Sequence, residues 1–313
     1  VFSGVGKSKE DIELAIKHDI LTFNVESEAE LFRIQTIAKK LSKVASISIR
    51  VNPDVNPKTH PYISTGLKDN KFGVDEQNAI SMYKIANELD SIEIKGIDCH
   101  IGSQITELQP FEDSINKLLV LIDHLKSIDI SIEHIDIGGG IGIKYSDEVP
   151  PTFSDYANTV KNILKDRDLK IIFEPGRALI GKAGILLTEV EYIKHSLEKN
   201  FIIIDAAMND LMRPSLYGAF HEIINLSPTD SEKKHYDIVG PVCETGDFLG
   251  KDRLLSAVEG NILAVLDAGA YGMSMSSNYN SRPKVSEILI DDDKLHLIRN
   301  RETFADLING EQL

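Results

Sequence analysis

Cys243 and Glu244 stand side by side in Gly240-Pro241-Val242-Cys243-Glu244-Thr245-Gly246-Asp247, one of only two places where this sequence has a cysteine. A thiol beside a carboxylate, held between glycine turns, is placed to deliver a proton. Three other segments end apolar runs with residues of chemical interest: Cys99-His100-Ile101-Gly102-Ser103, Gly138-Gly139-Gly140 and Glu174-Pro175-Gly176-Arg177. Glycines at a strand tip let backbone N–H groups approach a phosphate with no Cβ in the way. Taken alone they fit a tight turn equally well, and the G-x-G-x-x-G spacing of a dinucleotide site is absent. Glu174 follows Ile171-Ile172-Phe173 and could hold a protonated ring nitrogen. Arg177 offers a fork of donors suited to phosphate or carboxylate. A plain Glu174–Arg177 ion pair is the competing reading; if such a pair is buried, removing Glu174 costs about 3–5 kcal/mol of stability.

Side chains alternate along a strand, so Asp98 and His100 share one face and Cys99 takes the other. If Asp98 and His100 face a barrel mouth, Cys99 packs outward against a helix. His100 is then a ligand-facing or a purely structural imidazole. The neighbours Cys99 and His100 cannot face one zinc ion together, and no other His/Cys spacing suggests a metal. In the turn-like stretch 213–221, Arg213 and Tyr217 could clamp a carboxylate, although Arg213 could equally be a surface cation. Tyr271, in Ala268-Gly269-Ala270-Tyr271-Gly272, places an aromatic hydroxyl in a crowded turn, for binding or for packing.

The elements that must position these residues are readable from periodicity. Strand-like runs at 1–6, 22–27, 47–53, 94–103, 134–140 and 170–177 alternate with helical patterns at 8–17, 28–41, 76–89, 111–128 and 153–165. Leu118, Leu119, Leu121, Ile122 and Leu125 recur near helical period. Ser8 with Asp11 and Ser27 with Glu30 fit N-terminal caps. Strand–helix alternation predicts a parallel sheet with right-handed crossovers, and six such units point to a β/α barrel rather than an open sheet. The first residue, Val1, lies inside a strand-like run, so two barrel strands are expected to precede it. From about residue 181 short β-branched runs follow one another, at 185–193, 201–205, 235–239, 261–266, 287–290 and 294–299. The expected organisation is an α/β barrel domain at 1–180 and a mostly antiparallel β domain at 181–313. Asp291-Asp292-Asp293 reads as a solvated hairpin turn.

Composition sets limits. The 313 residues carry a net charge of −15, which argues against nucleic acid and anionic membrane as partners. No apolar run approaches the roughly 18 residues of a membrane helix. Two cysteines suggest a reducing compartment, hence a cytoplasmic protein, rather than a disulfide framework.

Taken together, the strings C-H-I-G-S-Q (99–104), D-I-G-G-G (136–140), E-P-G-R (174–177), R-P-S-L-Y (213–217), G-P-V-C-E-T-G-D (240–247) and D-A-G-A-Y-G (267–272), with S-N-Y-N (277–280) after them, resemble the diaminopimelate decarboxylase family. Their order is the family's, and they span nearly the whole chain. The resemblance implies a pyridoxal-phosphate (PLP) (β/α)8 barrel plus a C-terminal β domain, acting on a small amino-acid substrate as a homodimer with shared sites. It implies that His100 stacks on the PLP ring and that Glu174 pairs with the ring nitrogen. Gly138, Gly139, Gly140, Gly176, Arg177 and Tyr271 hold the phosphate. Arg177, Arg213, Tyr217, Tyr271 and Glu244 read the substrate, and Cys243 reprotonates its α-carbon from the partner subunit. The implied reaction converts meso-2,6-diaminopimelate to L-lysine and CO2. One family feature is not in this sequence: the Tyr-Ala-x-Lys-Ala-Asn-type strand whose lysine carries the cofactor. Lys7 matches another family position. The competing expectations are a sister decarboxylase for ornithine, arginine or carboxynorspermidine, and a lysine-less regulatory relative. Arg213 disfavours a substrate with a cationic distal end.

Overall fold

The computed structural model describes residues 1–56, 65 and 71–312. They cluster into two compact units, Val1–Ile143 with Val149–Ala178, and Lys144–Glu148 with Leu179–Leu313.

In the first unit β1 (Phe23–Val25), β2 (Ala45–Arg50), β3 (Ile92–Asp98), β4 (His134–Asp136) and β5 (Lys170–Ile172) form a parallel sheet in sequence order. Between and before them run α1 (Lys9–Lys17), α2 (Glu28–Lys40), α3 (Glu76–Asn87), α4 (Gln109–Ser127) and α5 (Phe153–Leu164), and the short α6 (Arg177–Ile180) follows β5. Phe2 adds one parallel bridge to Phe23, which is all that forms of the strand expected at 1–6. The reason is local: Gly4 has φ +125° and its carbonyl turns toward the Lys7 ammonium. Ser8 forms a full capping box with Asp11. Ser27 also caps its helix, but Glu30 does not close a box there. Its carboxylate instead accepts from Lys7 Nζ at 2.6 Å and from the Glu26 N–H at 2.9 Å.

Alternation sorts the strand side chains into two buried layers. Phe23, Val25, Ile47, Ile49, Ile97, Cys99 and Ile135 join the apolar core shared with the helices. Asn24, Ser48, Arg50, Asp98, His134 and Asp136 have the opposite parity and are buried too. These polar groups must therefore satisfy one another. Thr22 Oγ1 lies 3.1 Å from Ser48 Oγ, which lies 2.8 Å from His134 Nε2. Gly96 sits between Ser48 and His134 in the sheet register, and a Cβ there would lie 2.0 Å from His134 Nε2. Its missing side chain lets the imidazole reach across a strand. Arg50 Nη1 donates to Glu26 Oε1 at 2.8 Å.

The second unit holds a six-stranded sheet in the order β10-β9-β7-β6-β11-β8. Its strands are β6 (Leu186–His195), β7 (Asn200–Ile204), β8 (Ile223–Asn225), β9 (Lys234–Val239), β10 (Phe248–Leu255) and β11 (Ile262–Val265). All pairings are antiparallel except β7 with β9. Sequence reading missed β10, because its pairing slips between Gly250 and Arg253 and the bulge breaks the alternation. It also missed the three-residue β8. The hairpin β12 (Glu287–Asp291) and β13 (Lys294–Arg299) turns through Asp292 and Asp293 as expected. The stretch expected to turn at 213–221 instead opens as the short helix α7 (Arg213–Tyr217), with Pro at its first turn and Gly218 at φ +62° ending it.

Lys7 and Glu30 are a test of the buried polar layer, their side chains being 1% and 7% exposed. Lys7→Met should destabilise the protein by about 3–5 kcal/mol in urea unfolding, since it strands a buried carboxylate. Lys7→Met with Glu30→Gln should recover part of that loss. A single-variant loss under about 1 kcal/mol would mean the pair behaves like a surface one.

Candidate active site

Backbone N–H donors stitch the tips of β3, β4 and β5 together. Gly139 N–H donates to His100 Nδ1 at 3.2 Å, Gly138 N–H to Asp136 Oδ1 at 2.9 Å, and Glu174 N–H to the Gly138 carbonyl at 2.8 Å. A Cβ on Gly139 would lie 2.3 Å from the Glu174 carbonyl oxygen, so only glycine lets the tips of β4 and β5 approach this closely. Gly138 has φ +64°, and a Cβ there would meet His100 Nδ1 at 2.8 Å. His100, Gly138, Gly139, Gly140 and Glu174 are thus brought into one corner of the first unit.

The Glu174 carboxylate is exposed and accepts from Ser3 Oγ at 2.7 Å. It is not a buried ion-pair member, so the stability cost expected for its removal does not apply. Asn24 Nδ2 donates to Ser3 Oγ at 3.0 Å and to Asp136 Oδ2 at 3.1 Å, a relay from the lip into the polar interior. Arg177 is buried, and its Nη2 donates to Ser103 Oγ at 3.1 Å. Cys99 is buried on the helix side beside Ser114 of α4, and burial pushes its thiol up.

Burial, and then the Arg50 guanidinium, hold the His100 pKa down at about 4. The imidazole is therefore neutral, with Nδ1 accepting from Gly139 and the proton on Nε2. Asp136 is shifted the other way, to about 6, by burial and then by Glu174. Asp98 is raised well above the ordinary carboxyl range by burial and then by Asp136.

These residues suit PLP. A neutral flat imidazole can lie on an aromatic ring, an exposed carboxylate can hold a ring N–H, and the glycine tips admit a phosphate. Asp98 Oδ1 and Asn24 Oδ1 are buried with no hydrogen-bond partner among the described residues, so the polar interior beneath these tips has acceptors to offer an amine. Lys7 is not that amine. Its three donors reach Gly4 O at 2.8 Å, Asn24 O at 2.6 Å and Glu30 Oε1 at 2.6 Å.

In the second unit, Asp247 builds the loop that carries Cys243. Its buried carboxylate accepts from Val242 N–H at 2.8 Å and Met208 N–H at 2.7 Å. Burial raises its pKa and these two bonds oppose the rise. Cys243 and Glu244 are left exposed at the loop tip, with Glu244 Oε2 accepting from Tyr279 Oη at 2.5 Å. Ser215 Oγ donates to the Gly246 carbonyl at 2.6 Å and ties α7 to the same loop. Arg213 is buried and Tyr217 half-buried on that helix. Tyr271 has φ +57°, a conformation rare for an aromatic residue and typical of functional turns. Sequence reading assigned no role to Ser3, Asn24, Arg50, Asp247 or Tyr279. The inward parity of Asn24 and Arg50 was the available signal.

A family model described as pyridoxal-dependent decarboxylase, pyridoxal binding domain, matches residues 1–181. The chain is 52% identical over 313 residues to diaminopimelate decarboxylase of Pseudomonas aeruginosa, covering all of this chain and 75% of that protein. It is 54% identical over 308 residues to the Vibrio cholerae diaminopimelate decarboxylase, covering 98% and 74%. The crystal structure of diaminopimelate decarboxylase from Helicobacter pylori complexed with L-lysine superposes with a TM-score of 0.95 at 46% identity, over 98% of this chain and 77% of that one.

The depressed His100 pKa makes a signed prediction. Between about pH 6.5 and pH 4 the unfolded chain binds a proton at His100 that the folded chain refuses, so acid removes stability in that window. Asp136 acts oppositely: its stabilising contribution is complete at low pH and is lost as pH rises through about 6. Comparing wild type with His100→Phe cancels the Asp136 background to first order. Urea midpoints should show wild type losing more stability than the variant between about pH 7 and pH 4.5. Parallel pH profiles would contradict a half-buried imidazole held neutral.

Proposed function

Because this chain belongs to the diaminopimelate decarboxylase family of pyridoxal-dependent decarboxylases, we propose that it removes one carboxyl group of meso-2,6-diaminopimelate as CO2 and leaves L-lysine. The observation that carries the site assignment is the meeting of His100, Gly139 and Glu174 at three adjacent strand tips. PLP, when bound, supplies the electron sink that accepts the pair left by the departing CO2.

Each residue then has a defined task. Glu174 holds the proton on the ring nitrogen, and Ser3 keeps its carboxylate oriented. Neutral His100 supplies a face for the ring and adds no charge beside it. The Gly138 and Gly139 amides are engaged by Asp136 and His100, which leaves phosphate recognition chiefly to Gly140, Gly176, Arg177 and Tyr271. Arg213 and Tyr217 grip the carboxylate of the distal amino-acid centre, with Arg177 assisting. Glu244, oriented by Tyr279, takes the distal ammonium. Cys243 delivers a proton to the carbon that lost CO2.

Sharing of sites between two subunits is part of this reading. Ile288 pairs with Leu297 and Ile290 with Leu295 across the hairpin, so the four share one face. They are 56–71% exposed, an apolar surface of the kind a subunit contact covers. The free cysteines, one of them exposed, agree with a cytoplasmic setting. No helix among the described residues is long and apolar enough to cross a membrane.

In PLP-loaded full-length protein, Glu174→Ala should lower kcat by about two orders of magnitude or more with an unchanged circular-dichroism melt. Near-normal turnover by the folded variant would remove Glu174 from the mechanism. CO2 release should be much faster from meso-diaminopimelate than from ornithine or arginine, and the reverse order would reassign the substrate. Sedimentation should give a dimer that Ile290→Asp with Leu295→Asp weakens; a monomeric wild type would end the shared-site reading.

A further inference from the structure

Arg213 is 5% exposed, so its orientation is set by what surrounds it. His221 Nε2 lies 2.6 Å from Arg213 Nη1, and His221 Nδ1 lies 2.8 Å from the Leu266 carbonyl oxygen. The guanidinium carbon sits 4.5 Å from the centre of the Tyr145 ring. That ring meets the His221 imidazole edge to face at 5.2 Å. Tyr145 is 6% exposed and His221 is 0% exposed. Tyr145 is distant in sequence, but the segment Lys144–Glu148 belongs to the same compact unit as α7.

Hydrogen-bond chemistry fixes the imidazole. A guanidinium only donates and a carbonyl only accepts. Nε2 must therefore present its lone pair to Arg213, and Nδ1 must carry the proton that Leu266 receives. An imidazolium, or the other tautomer, would set N–H against N–H at 2.6 Å. Leu266 directly precedes the turn of Asp267 and Tyr271, both of which have positive φ. One imidazole thus fastens the guanidinium to a backbone atom at the base of a strained turn, and an aromatic face supports it.

We propose that His221, as the neutral Nδ1–H tautomer backed by Tyr145, is the positioning residue that aims Arg213 at the substrate's distal carboxylate. Carboxylate selectivity is then a property of the Arg213–His221 pair rather than of the arginine alone. This rests on the reading of Arg213 given above.

Two probes separate positioning from general structure: L-lysine, and 1,5-diaminopentane, which is the same chain without the carboxylate. Binding to PLP-loaded protein is measured by calorimetry. His221→Asn can still reach Leu266 but not Arg213, and should weaken L-lysine by about tenfold or more. Its affinity for 1,5-diaminopentane should stay near wild type. His221→Gln, which restores an acceptor near the Nε2 position, should recover part of the L-lysine affinity. Unchanged L-lysine binding in His221→Asn, equal weakening of both probes, or no recovery in His221→Gln each overturns the proposal. Arg213→Ala is the control on the premise. If it leaves the preference for L-lysine intact, the reading of Arg213 falls and the proposal with it. If it abolishes the preference and His221→Asn does not, only the proposal falls. Should His221→Asn not fold, nitrogen-15 spectra of histidine-labelled wild type decide: Nδ1–H is expected, and Nε2–H or imidazolium overturns it.

Discussion

Lys7 and Glu30 meet at 2.6 Å with both side chains almost fully buried, and the same Glu30 carboxylate accepts from the N–H of Glu26, whose own carboxylate pairs with Arg50 inside the parallel sheet. Strand alternation buries Asn24, Arg50, Asp98 and Asp136 on one side of the sheet as surely as it buries Ile47 and Ile97 on the other. An apolar layer tolerates small errors of placement. A buried polar layer does not, because each unpaired charge costs several kcal/mol. Lys7 answers Glu30 and Arg50 answers Glu26. Asp98 and Asp136 have less counter-charge and respond by holding their protons more tightly. The lip residues stand on this layer: Ser3 and Asn24 connect Glu174 to Asp136.

Backbone proximity does the rest of the positioning in the first unit. The separation between the tips of β4 and β5 is set by Gly139, whose missing Cβ lets the Glu174 carbonyl come close. The same glycine donates to His100 Nδ1, while burial and then the Arg50 guanidinium keep the imidazole neutral. Under the proposed reading, a neutral imidazole would add no charge beside the cofactor and Glu174 would be the carboxylate that holds the proton on its ring nitrogen. The glycine-rich tip therefore sets the geometry, and burial beside Arg50 sets the protonation state.

The second unit uses buried polar side chains as anchors for candidate site residues, Cys243 and Glu244 at the surface and Arg213 in the interior. Asp247 gathers Val242 and Met208 amides, which leaves Cys243 and Glu244 at the surface of a loop with little freedom. His221 does for Arg213 what Asp247 does for that loop, with a carbonyl at one nitrogen and a guanidinium at the other. The anchoring residue is close in sequence to Cys243 in the first case and eight positions from Arg213 in the second, and its role depends on burial that sequence does not display.

By itself the sequence determined the alternating elements of the first unit, because apolar period and caps such as Ser8 are local properties. It determined the chemistry at the strand tips as well, since glycine, Glu174 and His100 carry their functional groups wherever the chain goes. It did not announce β10, whose bulge at Gly250 erases the two-residue period, or the collapse of 1–6 to a single bridge at Phe2. Only tertiary structure decided that Glu30 would leave its helix cap for Lys7, that Glu174 would stand exposed beside Ser3, and that Tyr145 would lie under Arg213. Local pattern records which face a side chain takes. Which partner waits there, and whether water is excluded, depends on segments far away in the chain, and burial then sets both the charge and the aim of each group.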